Sequence, residues 1–308
     1  MSTSGHGEEP VLSVIIPTFN RLNDLCQTLD HLYDSLPSDV EVIVVDDGST
    51  DSTRNEIPRR YGKARFIRSE LRQGPSSARN LGLRQARGRY VLPLDSDCFI
   101  VPETLGWLVE TLRKEQKRHL LLSCRPWPDG KRSVKPTPAR EYSFRDLLLK
   151  SYGEVVPILV TESLHRYGLE YPQLFAGGEP LLLVELSRRQ TLYFVDKVIL
   201  EYRTDASSRI SSAEYQLKYP LEIASVFAAY LPYFEGQRDP ELSKERARVV
   251  EKLGVYLLLG GAKRGAVAQL WRAFLLGRPT ALVFCASALL PRESLRWLFS
   301  KYRSARSC

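Results

Sequence analysis

The sequence predicts an α/β fold followed by a helical extension, and three observations carry that prediction. Two β-branched apolar runs, residues 11–16 and 42–45, are hydrophobic at consecutive rather than alternating positions, the pattern of strands buried on both faces of a sheet. An amphipathic stretch lies between them, which completes a strand-helix-strand unit of about 35 residues, right-handed by rule. From Ala213 onward strand signals stop and helical periodicity takes over. With 308 residues, 43% of them hydrophobic and 26% charged, the chain is large enough for a full core, and wholesale disorder or fibrous structure is excluded.

Pro17 closes the first strand, and Asn20 is placed to cap a helix carrying Leu25, Leu29, Leu32 and Leu36 on one face. The second strand ends in Asp46-Asp47-Gly48-Ser49-Thr50, acids and turn formers together. Residues 64–68 read as a weak strand, and 76–87 as a helix with Ala78, Leu81, Gly82 and Gln85 on one face. Residues 90–94 form a strand ending in Asp95-Ser96-Asp97, 102–118 a helix through Leu105, Leu108, Val109 and Leu112, and 119–123 the next strand. Residues 125–140, with Pro126, Pro128, Pro136 and Pro138, read as an irregular mobile loop beside the site. Helices follow, and 192–202 is the last strand.

An α/β sheet binds its ligand at the carboxyl ends of its strands, and both acid clusters fall there. Asp95-x-Asp97 suits a hard divalent cation shared with phosphate oxygens and water. With no His/Cys cluster nearby, Mg²⁺ or Mn²⁺ fits better than zinc. The plain alternative is that Ser96 or Asp97 caps the next helix. Neither G-x-G-x-x-G nor G-x-x-x-x-G-K-[ST] occurs, which disfavours a dinucleotide dehydrogenase and a P-loop ATPase.

VLSVIIPTFNR (11–21), VIVVDDGSTDST (42–53) and GPSSARNLGLRQARGRYVLPLDSDCFIVPETL (74–105), with weaker FAGGEP (175–180) and EYRTDASSRIS (201–211), resemble glycosyltransferase family 2. The resemblance implies the GT-A fold, a Rossmann-like mixed sheet flanked by helices, and inverting transfer from a sugar nucleotide. It implies a disordered N-terminus at 1–10 and a catalytic domain over 11–211. Residues 11–124 would be its nucleotide-sugar half and 125–211 its acceptor half, with 212–308 a basic helical extension. Carried over position by position, Pro17 and Phe19 would flank the nucleobase, with ordinary core the alternative for Phe19. Asp47 would accept from or position the base, and Asp46 would support the same turn. Arg79 would approach the diphosphate or donor sugar, or else be a surface arginine. Asp95 would hold the ribose or a metal water, and Asp97 would ligate Mn²⁺ or Mg²⁺.

Such a transfer needs no protein nucleophile. An acceptor hydroxyl attacks the anomeric carbon, the diphosphate leaves, and a carboxylate takes the hydroxyl proton. Here the sequence departs from the family. An aspartate base is expected near the glycine pair, but the run is Gly177-Gly178-Glu179-Pro180. Glu179 becomes the candidate base and Glu185 the reserve, the alternative being that Glu179 caps a helix with Pro180 at its first position. A second departure puts Asp205 where the family has a histidine, as a tentative cation ligand or a loop acid.

The whole formal charge of +8 lies in residues 261–308, where nine Lys/Arg face one acid, Glu293. Trp271, Phe274, Leu275, Leu295, Trp297, Leu298 and Phe299 stand among these basic residues. The mixture fits a helix lying on an anionic membrane, or a cap packed on the catalytic domain. No nucleic-acid-binding fold accompanies the charge, so nucleic acid is not expected. The five cysteines, Cys26, Cys98, Cys124, Cys285 and Cys308, are scattered and odd in number, which favours a reducing cytoplasm. The first ten residues lack a secretion signal, and the apolar run 280–290 is shorter than the roughly 20 residues of a spanning helix. The expected partners are a nucleoside diphosphate sugar, taken as a UDP-sugar, and a glycan or lipid-linked acceptor. A catalytically inactive sugar-nucleotide binder and a nucleotidyltransferase are the competing readings.

Overall fold

A computed structural model describes residues 9–115, 117–127, 139–149, 155–175, 178–203, 212–291, 293–297 and 299. It divides into two compact units, Met1–Gln173 with Leu182–Ala206, and Leu174–Leu181 with Ser207–Cys308.

The first unit is built on nine strands: β1 (Leu12–Thr18), β2 (Val40–Asp46), β3 (Arg65–Arg68), β4 (Tyr90–Pro93), β5 (Cys98–Ile100), β6 (His119–Trp127), β7 (Arg140–Tyr142), β8 (Val155–Val160) and β9 (Leu192–Arg203). Their order is β3-β2-β1-β4-β8-β6-β9-β5, with β7 paired to β9. The four strands from β3 to β4 are parallel. β8 runs antiparallel to β4 and β6, β5 and β7 run antiparallel to β9, and β6 and β9 are parallel, so the sheet is mixed. Every residue of β1 is buried, as the consecutive apolar run required. The helices are α1 (Leu22–Tyr33), α2 (Thr53–Arg60), α3 (Pro75–Gln85), α4 (Thr104–Lys114), α5 (Phe144–Leu148), α6 (Thr161–Arg166) and α7 (Gly178–Ser187), the last running into the residues of both units.

α3 lies close on the sheet because Gly82 has no side chain there. A Cβ at that position would stand 2.4 Å from Ile15 Cγ2 and 3.2 Å from Val45 Cγ2. Register then sets the site. Thr18 pairs with Asp46, and β4 ends with Pro93 opposite Ile15, so the loops after β1, β2 and β4 open on one edge of the sheet.

Several local expectations change. Asn20 does not cap α1. It sits at φ 52°, a left-handed conformation that asparagine tolerates, and its Oδ1 accepts from the Thr50 and Asp51 amides at 2.7 and 3.3 Å. Asp51 Oδ2 in turn accepts from the Leu22 amide at 3.3 Å, so a neighbouring loop serves the helix start. α1 ends at Tyr33, leaving Leu36 beyond it but packed against the core. On α3 Leu83 is buried and Leu81 half-buried, because the side facing β1 is the one centred on Ala78 and Gly82. Neither Ser96 nor Asp97 caps a helix: β5 follows directly, and α4 begins later, behind Glu103. The expected loop at 125–140 is shortened at both ends, since Trp127 still belongs to β6 and Arg140 opens β7; residues 128–138 lie outside the described residues. The strand β8 was not anticipated. Its six apolar residues carry no period that separates strand from buried helix.

The second unit is helical: α8 (Ala213–Lys218), α9 (Pro220–Tyr230) with a 3-10 turn (Leu231–Phe234), α10 (Pro240–Leu259), α11 (Lys263–Leu275) and α12 (Thr280–Ser287). Asp239 caps α10 through the Glu241 and Leu242 amides, with Pro240 at the first helical position. A Cβ on Gly254 would stand 2.7 Å from Leu270 Cγ, so this glycine lets α10 and α11 pack closely. Glu251, buried on α10, accepts from Arg278 at 2.8 and 2.6 Å and from the Thr280 hydroxyl, which locks the turn between α11 and α12. Leu295 and Phe299, read from the sequence as part of either a membrane-lying helix or a packed cap, are buried in this core, and Phe274 is partly buried against it. Leu298 lies outside the described residues. Among the described residues no helix is long and apolar enough to cross a membrane.

Candidate active site

The two consecutive aspartates after β2 do different work. Asp46 is fully buried; one oxygen accepts from the Ser49 amide at 2.9 Å and the other pairs with Arg68 of β3, whose second amino group reaches Ser49 O at 3.1 Å. It holds the turn. Asp47 is turned toward the start of α3, where its two oxygens accept from the amides of Gln73 at 2.9 Å and Gly74 at 2.7 Å. Gly74 stands at φ 95°, a conformation that favours glycine. Burial pushes the Asp47 carboxyl above its ordinary value despite these two amides and the nearby Arg72. A buried carboxylate whose charge is only partly compensated is a common feature of binding sites. Pro17 is buried at the end of β1, and Phe19 is half-buried with the Arg72 guanidinium 4.2 Å from its ring centre.

The turn after β4 presents the other acids. Asp95 is half exposed and pairs with Arg79 of α3, which is itself buried and lies 5.7 Å from the Tyr171 ring centre. Asn80 fixes that region by exchanging two hydrogen bonds with the Tyr171 backbone, at 2.8 and 2.7 Å. Asp97 is largely buried and accepts from Arg21 at 2.8 Å. The turn is held from three sides. Thr28 of α1 donates to Ser96 O at 3.0 Å, Arg203 N–H donates to Asp97 O at 3.1 Å, and Cys98 N–H donates to Asp95 O at 3.1 Å. Ligand atoms of Asp95, Asp97 and Cys98 all lie within 4.8 Å of one another. Two carboxylate oxygens that close, with phosphate oxygens and water to complete the shell, suit a hard divalent cation, so the residues present fit Mg²⁺ or Mn²⁺.

Glu185 lies on the last turns of α7 and is engaged by Arg189 and, at 3.6 Å, by Arg188. Glu179 is in the first turn of α7, which begins at Gly178, so Pro180 is the third helical residue rather than the first and Glu179 is not the cap. Asp205 and Gly177 lie outside the described residues. Sequence reasoning assigned no role to Arg21, Gln73 or Gly74. The signal available for Arg21 was a basic residue four positions past Pro17.

Residues 13–163 match the family model of glycosyl transferase family 2. That segment is a family 2 glycosyl transferase domain. GalNAc(5)-diNAcBac-PP-undecaprenol beta-1,3-glucosyltransferase of Campylobacter jejuni is 28% identical over 208 residues, 63% of this chain and 65% of that enzyme. Chondroitin synthase of Escherichia coli is 33% identical over 118 residues, 37% of this chain and 16% of its own length. The chain thus spans less than two thirds of these relatives. Over nearly its whole length it is similar in fold to Staphylococcus aureus TarS 1–349, solved in complex with UDP-GlcNAc. The TM-score is 0.65 at 20% identity, covering 96% of this chain and 92% of that one. The mannosyltransferase PcManGT of Pyrobaculum calidifontis, solved with GDP-Man and Mn²⁺, gives 0.57 at 20% identity, covering 94% and 83%. The fold of the family 2 chain is GT-A.

Proposed function

We propose that this family 2 protein transfers a sugar from a nucleoside diphosphate sugar, a UDP-sugar, to a hydroxyl of a glycan or lipid-linked acceptor, with inversion at the anomeric carbon. The observation that carries the reading is that Asp47, after β2, and the Asp95 and Asp97 carboxylate pair, after β4, open on the same edge of the sheet as Phe19, after β1, with Arg79 of α3 paired to Asp95. Residues 11–124 hold the donor and 125–211 the acceptor. Phe19 faces the base, Asp47 positions it, and Arg79 turns from Asp95 to the diphosphate. Asp97 and Asp95 hold Mg²⁺ or Mn²⁺, which when bound offsets charge on the diphosphate. The acceptor oxygen bonds to the anomeric carbon as the bond from that carbon to the diphosphate breaks, and Glu179 takes the hydroxyl proton, with Glu185 in reserve. The four free cysteines among the described residues agree with a cytoplasmic location.

A thermal-shift screen of UDP-, GDP-, dTDP- and CDP-sugars with and without Mn²⁺ tests the donor. A ligand at a hundred times its Kd adds about 2.7 kcal/mol of stability. A shift with UDP-sugars that needs the metal is expected; none with any of the four removes the reading. The second reading, donor binding without turnover, is favoured by Pro180 at the usual base position and by the two arginines that engage Glu185. Binding with no released UDP under any acceptor would establish it.

A further inference from the structure

We infer that the outer face of α11 and α12 docks on an anionic lipid bilayer. On α11 the buried residues are Ala266, Leu270 and Ala273, which face the core of the helical unit. The opposite side carries Val267, Trp271 and Leu275 at a spacing of four, with Trp271 52% and Leu275 68% exposed. α12 is apolar nearly all round, yet Leu282 and Val283 are exposed, and Leu289 just beyond it is 91% exposed. The two helices pack side by side, with Cys285 Sγ 3.9 Å from Val267 O. Soluble surfaces scatter single apolar residues; several large exposed ones grouped on two neighbouring helices mark an interaction site.

Charge selects the occupant. Between Glu251 and Glu293 the chain has no acid, and Lys263, Arg264 and Arg272 are exposed on α11 beside the stripe. Arg278 points inward to Glu251 and does not contribute. Two copies of such a face would bring like charges together, whereas lipid phosphates complement them. An apolar stripe with large aromatic and aliphatic side chains, edged by Lys and Arg, is the arrangement of a helix lying in the bilayer interface. It differs from the sequence expectation in its members: Leu295 and Phe299 belong to the core, and Val267, Leu282, Val283 and Leu289 take their place. The inference does not rest on the transfer reading.

The test is flotation of the full chain with phosphatidylcholine vesicles with and without phosphatidylglycerol, at low and high salt. Each basic residue near an anionic surface strengthens binding roughly fivefold, and salt screens the attraction. Binding that needs phosphatidylglycerol and fades in high salt is expected, and the pair Trp271→Glu with Val283→Glu should reduce it at least tenfold. Lys263→Ala with Arg264→Ala and Arg272→Ala should reduce it for anionic vesicles. Both sets change exposed positions, so an unchanged melting temperature separates docking from unfolding. The inference is overturned if the full chain ignores anionic vesicles, or if the glutamate pair floats as the parent does. A parent that is dimeric and vesicle-blind, with a monomeric glutamate pair, would make the face a self-contact instead.

Discussion

Arg21 and Asp97 are 76 positions apart in sequence, and their side chains meet at 2.8 Å. The contact ties the loop after β1 to the turn after β4, the two segments that would flank a bound nucleotide. A cation held by Asp97 would share that carboxylate with an arginine. Asp95 is shared in the same way with Arg79.

From the burial difference follows an unequal effect of removing the acids. Asp97 is largely buried and central to the turn, whereas Asp95 is half exposed. Asp97→Ala should weaken metal-dependent UDP binding more than Asp95→Ala, by tenfold or more. Calorimetric titration of UDP in Mn²⁺ reads both. Equal affinity for the parent and Asp97→Ala would remove the metal role.

The base is tested by two isosteric changes on α7. Loss of a general base typically lowers rate by about 10² to 10⁴ while leaving donor affinity. Glu179→Gln should therefore lower kcat and leave UDP binding unchanged, while Glu185→Gln, which weakens the pairing with Arg188 and Arg189, should keep turnover. The reverse pattern would assign the role to Glu185.

His119 gives the fold a pH dependence of its own. Its Nδ1 accepts from the Val160 amide at 3.1 Å, so the proton is on Nε2, facing Gln190 Oε1 at 2.6 Å. Burial holds its pKa below the ordinary value of about 6.5. Below that value the unfolded chain takes up a proton that the folded chain refuses, so stability falls as the pH drops from 6.5 toward the folded pKa. The slope is at most about 1.4 kcal/mol per pH unit. Urea unfolding at pH 7 and pH 5 should show this loss in the parent and a smaller one in His119→Gln.

Gly82→Ala sets helix propensity against packing. Alanine should gain up to about 1 kcal/mol in a helix interior, but its Cβ would overlap the Ile15 methyl at 2.4 Å. Ile15 is buried on a central strand and cannot swing away, and overpacking of this kind costs about 1 to 3 kcal/mol. A net loss in urea unfolding is expected; a gain would mean that α3 can lift from the sheet without cost.

The sheet's parallel half was legible in the chain because consecutive β-branched residues leave no polar face, and because Asp46-Asp47 and Asp95-x-Asp97 follow such runs directly. The antiparallel insertion of β8 was not. A six-residue apolar run is compatible with strand or helix, and only pairing with β4 and β6 decides it.

By itself the sequence determined which segments are buried, which strand ends carry acids, and to which family the motifs belong, since these depend on local pattern and chain order. Tertiary structure decided which charged groups meet. The Arg21 pair with Asp97 and the seat of Asp47 on the Gln73 and Gly74 amides join loops that are distant along the chain. It also decided which sides of α11 and α12 are covered. When both sides of a helix are apolar, periodicity offers two candidate inner faces, and the choice falls to the packing partners: Leu270 against Gly254, and Glu251 against Arg278 and Thr280. Such choices depend on summed contacts between elements, which no single segment encodes.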